Sequence, residues 1–113
     1  MNQSFLVEIS VACRATRYTL EMIVTIRHKG LRELFETGHS KSIKPNHLAR
    51  LRMQLVALDT AFEITDMNIP GYRLHPLKGT AADRWSIAVD KSWRLTFEFR
   101  DGNVYLLDYE DYH

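Results

Sequence analysis

The stretch that most limits what this chain can fold into is its end, Trp93 to His113. Both halves are rich in aromatic and β-branched residues, and between them Asp101-Gly102 suits a type I′ turn, whose two central positions both need φ > 0. The stretch therefore reads as a β-hairpin. Pairing Arg100 with Asn103 sets Phe99 against Val104 and Phe97 against Leu106, and with Leu95 these residues make one apolar face. The opposite face is polar, with Arg94 across from Tyr109 and Thr96 across from Leu107. Asp111 and His113 share the parity of Tyr109. One face is thus expected to be core and the other a site. Diagonal neighbours on a sheet face lie about 7 to 8 Å apart, which groups Arg94 with Tyr109, Asp111 and His113.

The rest of the chain must cover the apolar face. With 113 residues it is long enough for one two-layer core and not for two. The net charge of +1 is too small to argue for nucleic acid. Its distribution is less even, however. Arg27, Lys29, Arg32, Lys41, Lys44, Arg50 and Arg52 fall in the first half, whereas Asp101, Asp108, Glu110 and Asp111 crowd the end, so a basic patch stays open. The single Cys13 excludes an internal disulfide and any multi-cysteine metal site, and it suits a reducing cytosol. Phe5 to Val11 is apolar but is interrupted by Glu8 and Ser10, has no basic flank and is too short to span a bilayer. No signal peptide or membrane span is expected there.

From Met22 the elements can be read in order. Ile23-Val24-Thr25-Ile26 is a short strand. Leu31, Leu34 and Phe35 follow at helical spacing, with Gly38 placed to end the helix. Pro45 and Asn46 open a longer helix, whose stripe Leu48, Leu51, Leu55, Leu58, Phe62 has Arg50, Arg52, Gln54 and Asp59 between its members. Pro70-Gly71 breaks the chain. Tyr72 to Leu77 is extended, with Pro76 confining it to an edge. Trp85 to Val89 alternates, and Asp90-Lys91-Ser92 turns tightly into Trp93. The order β-α-α-β-β-β, with two helices on one face of a small, mainly antiparallel sheet, defines an α+β domain.

The runs Arg73-Leu74-His75-Pro76-Leu77-Lys78-Gly79, Trp85-Ser86-Ile87, Trp93-Arg94-Leu95-Thr96-Phe97 and Asp108-Tyr109-Glu110-Asp111-Tyr112-His113, together with His28-Lys29-Gly30-Leu31, resemble the HigB toxins of the RelE superfamily. The resemblance runs from about Met22 to the end. It implies a toxin domain over 22–113 with a RelE-like fold, and it favours reading residues 1–21 as an extension packed on that domain over an extra edge strand. It also implies a ribosome-dependent mRNA endonuclease that works in the A site of the 70S ribosome without metal or other cofactor. The implied partner is a HigA-like helix-turn-helix antitoxin, through which the complex reaches operator DNA. The family's functional residues fall on His75, Lys78, Arg94, Asp111, Tyr112 and His113.

Those residue types suit the chemistry. Metal-free RNA cleavage needs a base for the 2′-hydroxyl, cations for the charge growing on the phosphate, and an acid for the leaving 5′-oxygen. Histidine is the side chain suited to proton transfer near neutrality, which His75 and His113 offer; Lys78 and Arg94 can bind the phosphate, and Tyr112 can stack on an unpaired base. Which histidine is base and which is acid stays open, as does whether Asp111 orients a histidine or takes the proton. Blander roles exist for each: Arg94 paired with Glu98 or Asp108, Lys78 a solvated loop lysine, His75 a surface residue. His28, His39 and His47, which lack ligand spacing, read as solvated surface. Tyr105, Tyr109, Trp85 and Trp93 read as packing. Two further readings remain, a ParE-like gyrase poison on the same fold and an inactive antitoxin-binding relic. The histidine pair beside Lys78 and Arg94 favours the nuclease.

Overall fold

The computed structural model describes residues 22–78 and 83–112. The expected extension at residues 1–21 and the terminal His113 lie outside them. Helix α1 (Lys29–Thr37) begins where His28 Nδ1 accepts the Leu31 N–H at 3.1 Å, and it ends at Gly38, whose φ of 84° and N–H to the Leu34 carbonyl make the expected left-handed cap. A 3₁₀ turn at Pro45–His47 leads into helix α2 (Leu48–Thr60). Leu51, Leu55 and Leu58 are buried as the stripe requires. Two residues of this stretch depart from the expected pattern. The helix stops at Thr60, so Phe62 leaves the stripe and is 75% exposed. Gln54, read as an intervening polar residue, is fully buried and donates to the Ala88 carbonyl at 2.9 Å.

Four antiparallel strands follow in a meander, β1 (His75–Pro76), β2 (Arg84–Ala88), β3 (Trp93–Arg100) and β4 (Asn103–Asp111), in spatial order β1-β2-β3-β4. Pro76 lies on the outer strand, where its missing N–H costs no ladder bond. The expected strand Ile23-Val24-Thr25-Ile26 is reduced to two isolated parallel bridges to β4, Ile23–Val104 and Ile26–Leu107. Leu31, Leu34, Leu51, Leu55 and Leu58 from the helices meet Ile87, Leu95, Phe97, Phe99, Val104, Leu107 and Tyr109 from the sheet in one core. Among the described residues, no helix is long and apolar enough to cross a membrane.

The hairpin starts as expected. Asp101 and Gly102 have φ of 53° and 80°, Arg100 pairs with Asn103, and Phe99 with Val104. The register then shifts between Glu98, which pairs with Tyr105, and Thr96, which pairs with Asp108. Leu106 and Leu107 together oppose Phe97, a β-bulge in which Leu106 has φ of 53° and its N–H is taken by Thr25 Oγ1 at 2.8 Å. The expected pairs Phe97–Leu106, Thr96–Leu107 and Arg94–Tyr109 are thereby replaced by Thr96–Asp108, Leu95–Tyr109 and Arg94–Glu110.

The energetics explain the shift. A straight ladder would place Asp108 and Glu110 on the helix side with Val104, at a cost of several kcal/mol for each buried carboxylate. The bulge keeps both carboxylates off the helix side and buries Leu107 and Tyr109 instead. Burying one such side chain is worth about 1.5 to 3 kcal/mol, against about 1 to 2 kcal/mol for a left-handed leucine.

Candidate active site

After the bulge, the sheet face away from the helices carries a row formed by His75, Ser86, Thr96 and Asp108 across all four strands, with Arg94 and Glu110 paired beside it. His75 Nδ1 lies 3.0 Å from the Arg73 carbonyl, which only accepts, so Nδ1 carries the hydrogen and Nε2 is left as the acceptor. Ser86 Oγ lies 3.2 Å from that Nε2 and receives Arg94 Nη1 at 3.4 Å. A chain therefore runs from the Arg94 guanidinium through the buried Ser86 hydroxyl to the free nitrogen of His75. The Tyr112 ring sits 5.7 Å from the Arg94 guanidinium carbon, within cation–π range. Thr96 Oγ1 donates a short hydrogen bond to Glu110. Glu98 is engaged by Arg84 at 3.8 Å and Arg100 at 3.2 Å, whereas Arg94 reaches Ser86.

Of the residues expected at the site, the fold brings His75, Arg94 and Tyr112 together. Lys78 is exposed just beyond β1. Asp111, the last residue of β4, is exposed and pairs with Trp93. Because Tyr109 now faces the helices, the shared parity that was to bring Tyr109 and Asp111 to Arg94 does not hold. Burial instead pushes the Tyr109 phenol up, against a backbone hydrogen bond at Lys44 that pulls it down, and the negative charges of Asp90 and Asp111 add to the rise.

His47 corrects a second expectation. It is 2% exposed rather than solvated. Its Nδ1 meets the Tyr109 hydroxyl at 2.6 Å and its Nε2 meets Asp90 Oδ2 at 2.7 Å. Asp90 is held at about 2, below the usual carboxylate value, first by the Trp93 N–H, then by His47 and the Ser92 N–H. Trp93 stacks on Tyr109 at 4.4 Å, and His28 meets the Tyr109 ring edge-on at 5.3 Å. No local pattern in the sequence marks His47, since its partners lie 43 and 62 residues away.

The basic first half is also partly consumed by structure. Arg32 donates to the Ile26 carbonyl, Arg50 to those of Gly71 and Ala88, and Arg52 to that of Gly38. Three of the cations that suggested a patch therefore serve backbone carbonyls.

Residues 24–113 match the family model of a class of small toxins, described as "RelE-like toxin of type II toxin-antitoxin system HigB". Within that class the chain belongs to the HigB-like toxin family. A relative from Proteus vulgaris named "Endoribonuclease HigB" is 47% identical over 92 residues, covering 81% of this chain and 100% of the relative. Two solved structures of the E. coli DinJ-YafQ toxin-antitoxin complex are similar at 19% and 21% identity, with TM-scores of 0.43 and 0.37. They cover 81% and 77% of this chain, and 89% and 88% of their own.

Proposed function

We propose that this chain is an endoribonuclease toxin that cuts translated mRNA in the ribosomal A site by attack of a 2′-hydroxyl on the adjacent phosphate. The observation that carries the reading is the chain Arg94–Ser86–His75 on an open sheet face, with Tyr112 under Arg94. His75 Nε2 is a hydrogen-bond acceptor at the surface, suited to take the 2′-hydroxyl proton once substrate displaces the Ser86 hydroxyl. Arg94, with Lys78 arriving from the end of β1, neutralises the charge that grows on the phosphate. The exposed Tyr112 ring offers a stacking platform for an unpaired base. His113 lies outside the described residues. The resemblance places it and Asp111 among the functional residues, and with His75 as the base we assign His113 as the acid that protonates the 5′-oxygen as the P–O5′ bond breaks, with Asp111 orienting a histidine or taking the proton itself.

Membership of a type II toxin-antitoxin family implies an antitoxin partner. We assign that partner to the HigA-like helix-turn-helix type, with operator DNA contacted through it, and read the toxin domain as residues 22–113. The test is cleavage of a defined message by the purified full chain, with and without translating ribosomes. Cleavage only on ribosomes is expected. A folded protein that cuts in neither condition would overturn the nuclease reading.

A further inference from the structure

His47 is a buried polar side chain that the proposed reaction leaves unused. A carboxylate only accepts, so the contact with Asp90 places a hydrogen on Nε2. The second oxygen of Asp90 accepts the Ser92 N–H at 2.9 Å and the Trp93 N–H at 2.8 Å, closing the turn between β2 and β3. The Ser92 carbonyl in turn accepts the Tyr112 N–H at 2.6 Å. Tyr112 follows the last residue of β4 and is 47% exposed, at a place where chains ordinarily fray. His47 thus reaches the end of β4 twice, through the Tyr109 hydroxyl and through Asp90 and Ser92 to the Tyr112 backbone.

We propose that His47 is a positioning residue: by clamping Asp90 it fixes the β2–β3 turn, so that the Ser92 carbonyl holds Tyr112 with its ring under Arg94. The clamp lies on the helix side of the sheet and the proposed chemistry on the other, with the Tyr112 amide as the link between them. The effect on cleavage rests on the reading of Tyr112 as a site residue, whereas the effect on the Tyr112 backbone does not. A histidine that only filled space would act through its edge-on contacts with Trp93 at 6.0 Å and Tyr109 at 5.9 Å.

Two variants of the full chain separate these roles. His47→Phe keeps a ring of similar volume and loses both hydrogen bonds. Asp90→Ser, in an exposed turn, keeps an acceptor for the turn amides but is too short to meet His47. Hydrogen exchange at the Tyr112 amide should quicken about tenfold or more in both, while exchange at the Val104 amide on the same strand stays unchanged. Message cleavage should fall roughly tenfold, and His47→Phe should add no further loss to Tyr112→Ala, because both act on the same ring. Unchanged Tyr112 exchange in either folded variant overturns the proposal, as does a fully additive loss of cleavage. Normal cleavage by Tyr112→Ala alone would remove Tyr112 from the site, and the exchange measurement would still decide the clamp.

Discussion

The bulge at Leu106 makes a prediction that a straight hairpin reverses. Leu107 is fully buried against the helices and Leu106 is 36% exposed, whereas a straight ladder from the Asp101-Gly102 turn buries Leu106 and exposes Leu107. Leu107→Ala should therefore cost about 2 to 5 kcal/mol, the transfer of the lost methylenes plus the cavity left behind. At about 4 °C per kcal/mol for a domain near 100 residues, melting should fall by roughly 8 to 20 °C. Leu106→Gly should behave in the opposite sense. It relieves a left-handed leucine worth about 1 to 2 kcal/mol and costs roughly 0.5 to 1 kcal/mol in added chain freedom, leaving the protein unchanged or slightly more stable. Urea and thermal unfolding of the full-length variants would read both values, and an unchanged urea slope would confirm that the comparison concerns stability alone. A costly Leu106 substitution beside a harmless one at Leu107 would refute the bulge. It would also return Tyr109 to the face of Arg94 and undo the site described above.

Arg94→Ala should lower message cleavage about a hundredfold or more with little change in melting, since the side chain lies on the polar face, and near-normal cleavage by the folded variant would remove Arg94 from the site. Deleting His113, or Tyr112 and His113 together, should also abolish most cleavage while leaving melting nearly unchanged, because Tyr112 is exposed and belongs to no part of the core; full activity without both residues would refute their role. The acid limb of stability should depend on Asp90. Its folded value of about 2 lies below the ordinary 3.8, so its contribution is complete above about pH 4 and is lost as pH falls toward 2, where the unfolded chain takes up the proton first. Urea midpoints measured from pH 5 to pH 2 should fall less steeply for Asp90→Ser than for the parent, and parallel curves would show that the carboxylate is not held by the turn and His47.

What could be read from the chain alone was local. The Asp101-Gly102 turn, the left-handed Gly38 cap, the leucines of α2 and the edge position of Pro76 follow from backbone preferences and spacing within a few residues, which act before any distant partner is chosen. The residue pattern from Arg73 to Lys78 and from Trp93 to His113 carried the family in the same way. Tertiary structure decided the rest through competition between distant segments. Strict alternation along β4 pointed Tyr109 toward Arg94, but keeping Asp108 and Glu110 off the core outweighed a strained Leu106, and Thr25 from the far end of the domain satisfied the displaced amide. The same event set Tyr109 where a buried His47 could meet it, although nothing beside His47 in the sequence sets it apart from the exposed His39. The arginines of the first half show the same limit: their charge is legible residue by residue, but whether a guanidinium faces solvent or caps a carbonyl depends on which backbone ends the fold leaves unpaired nearby.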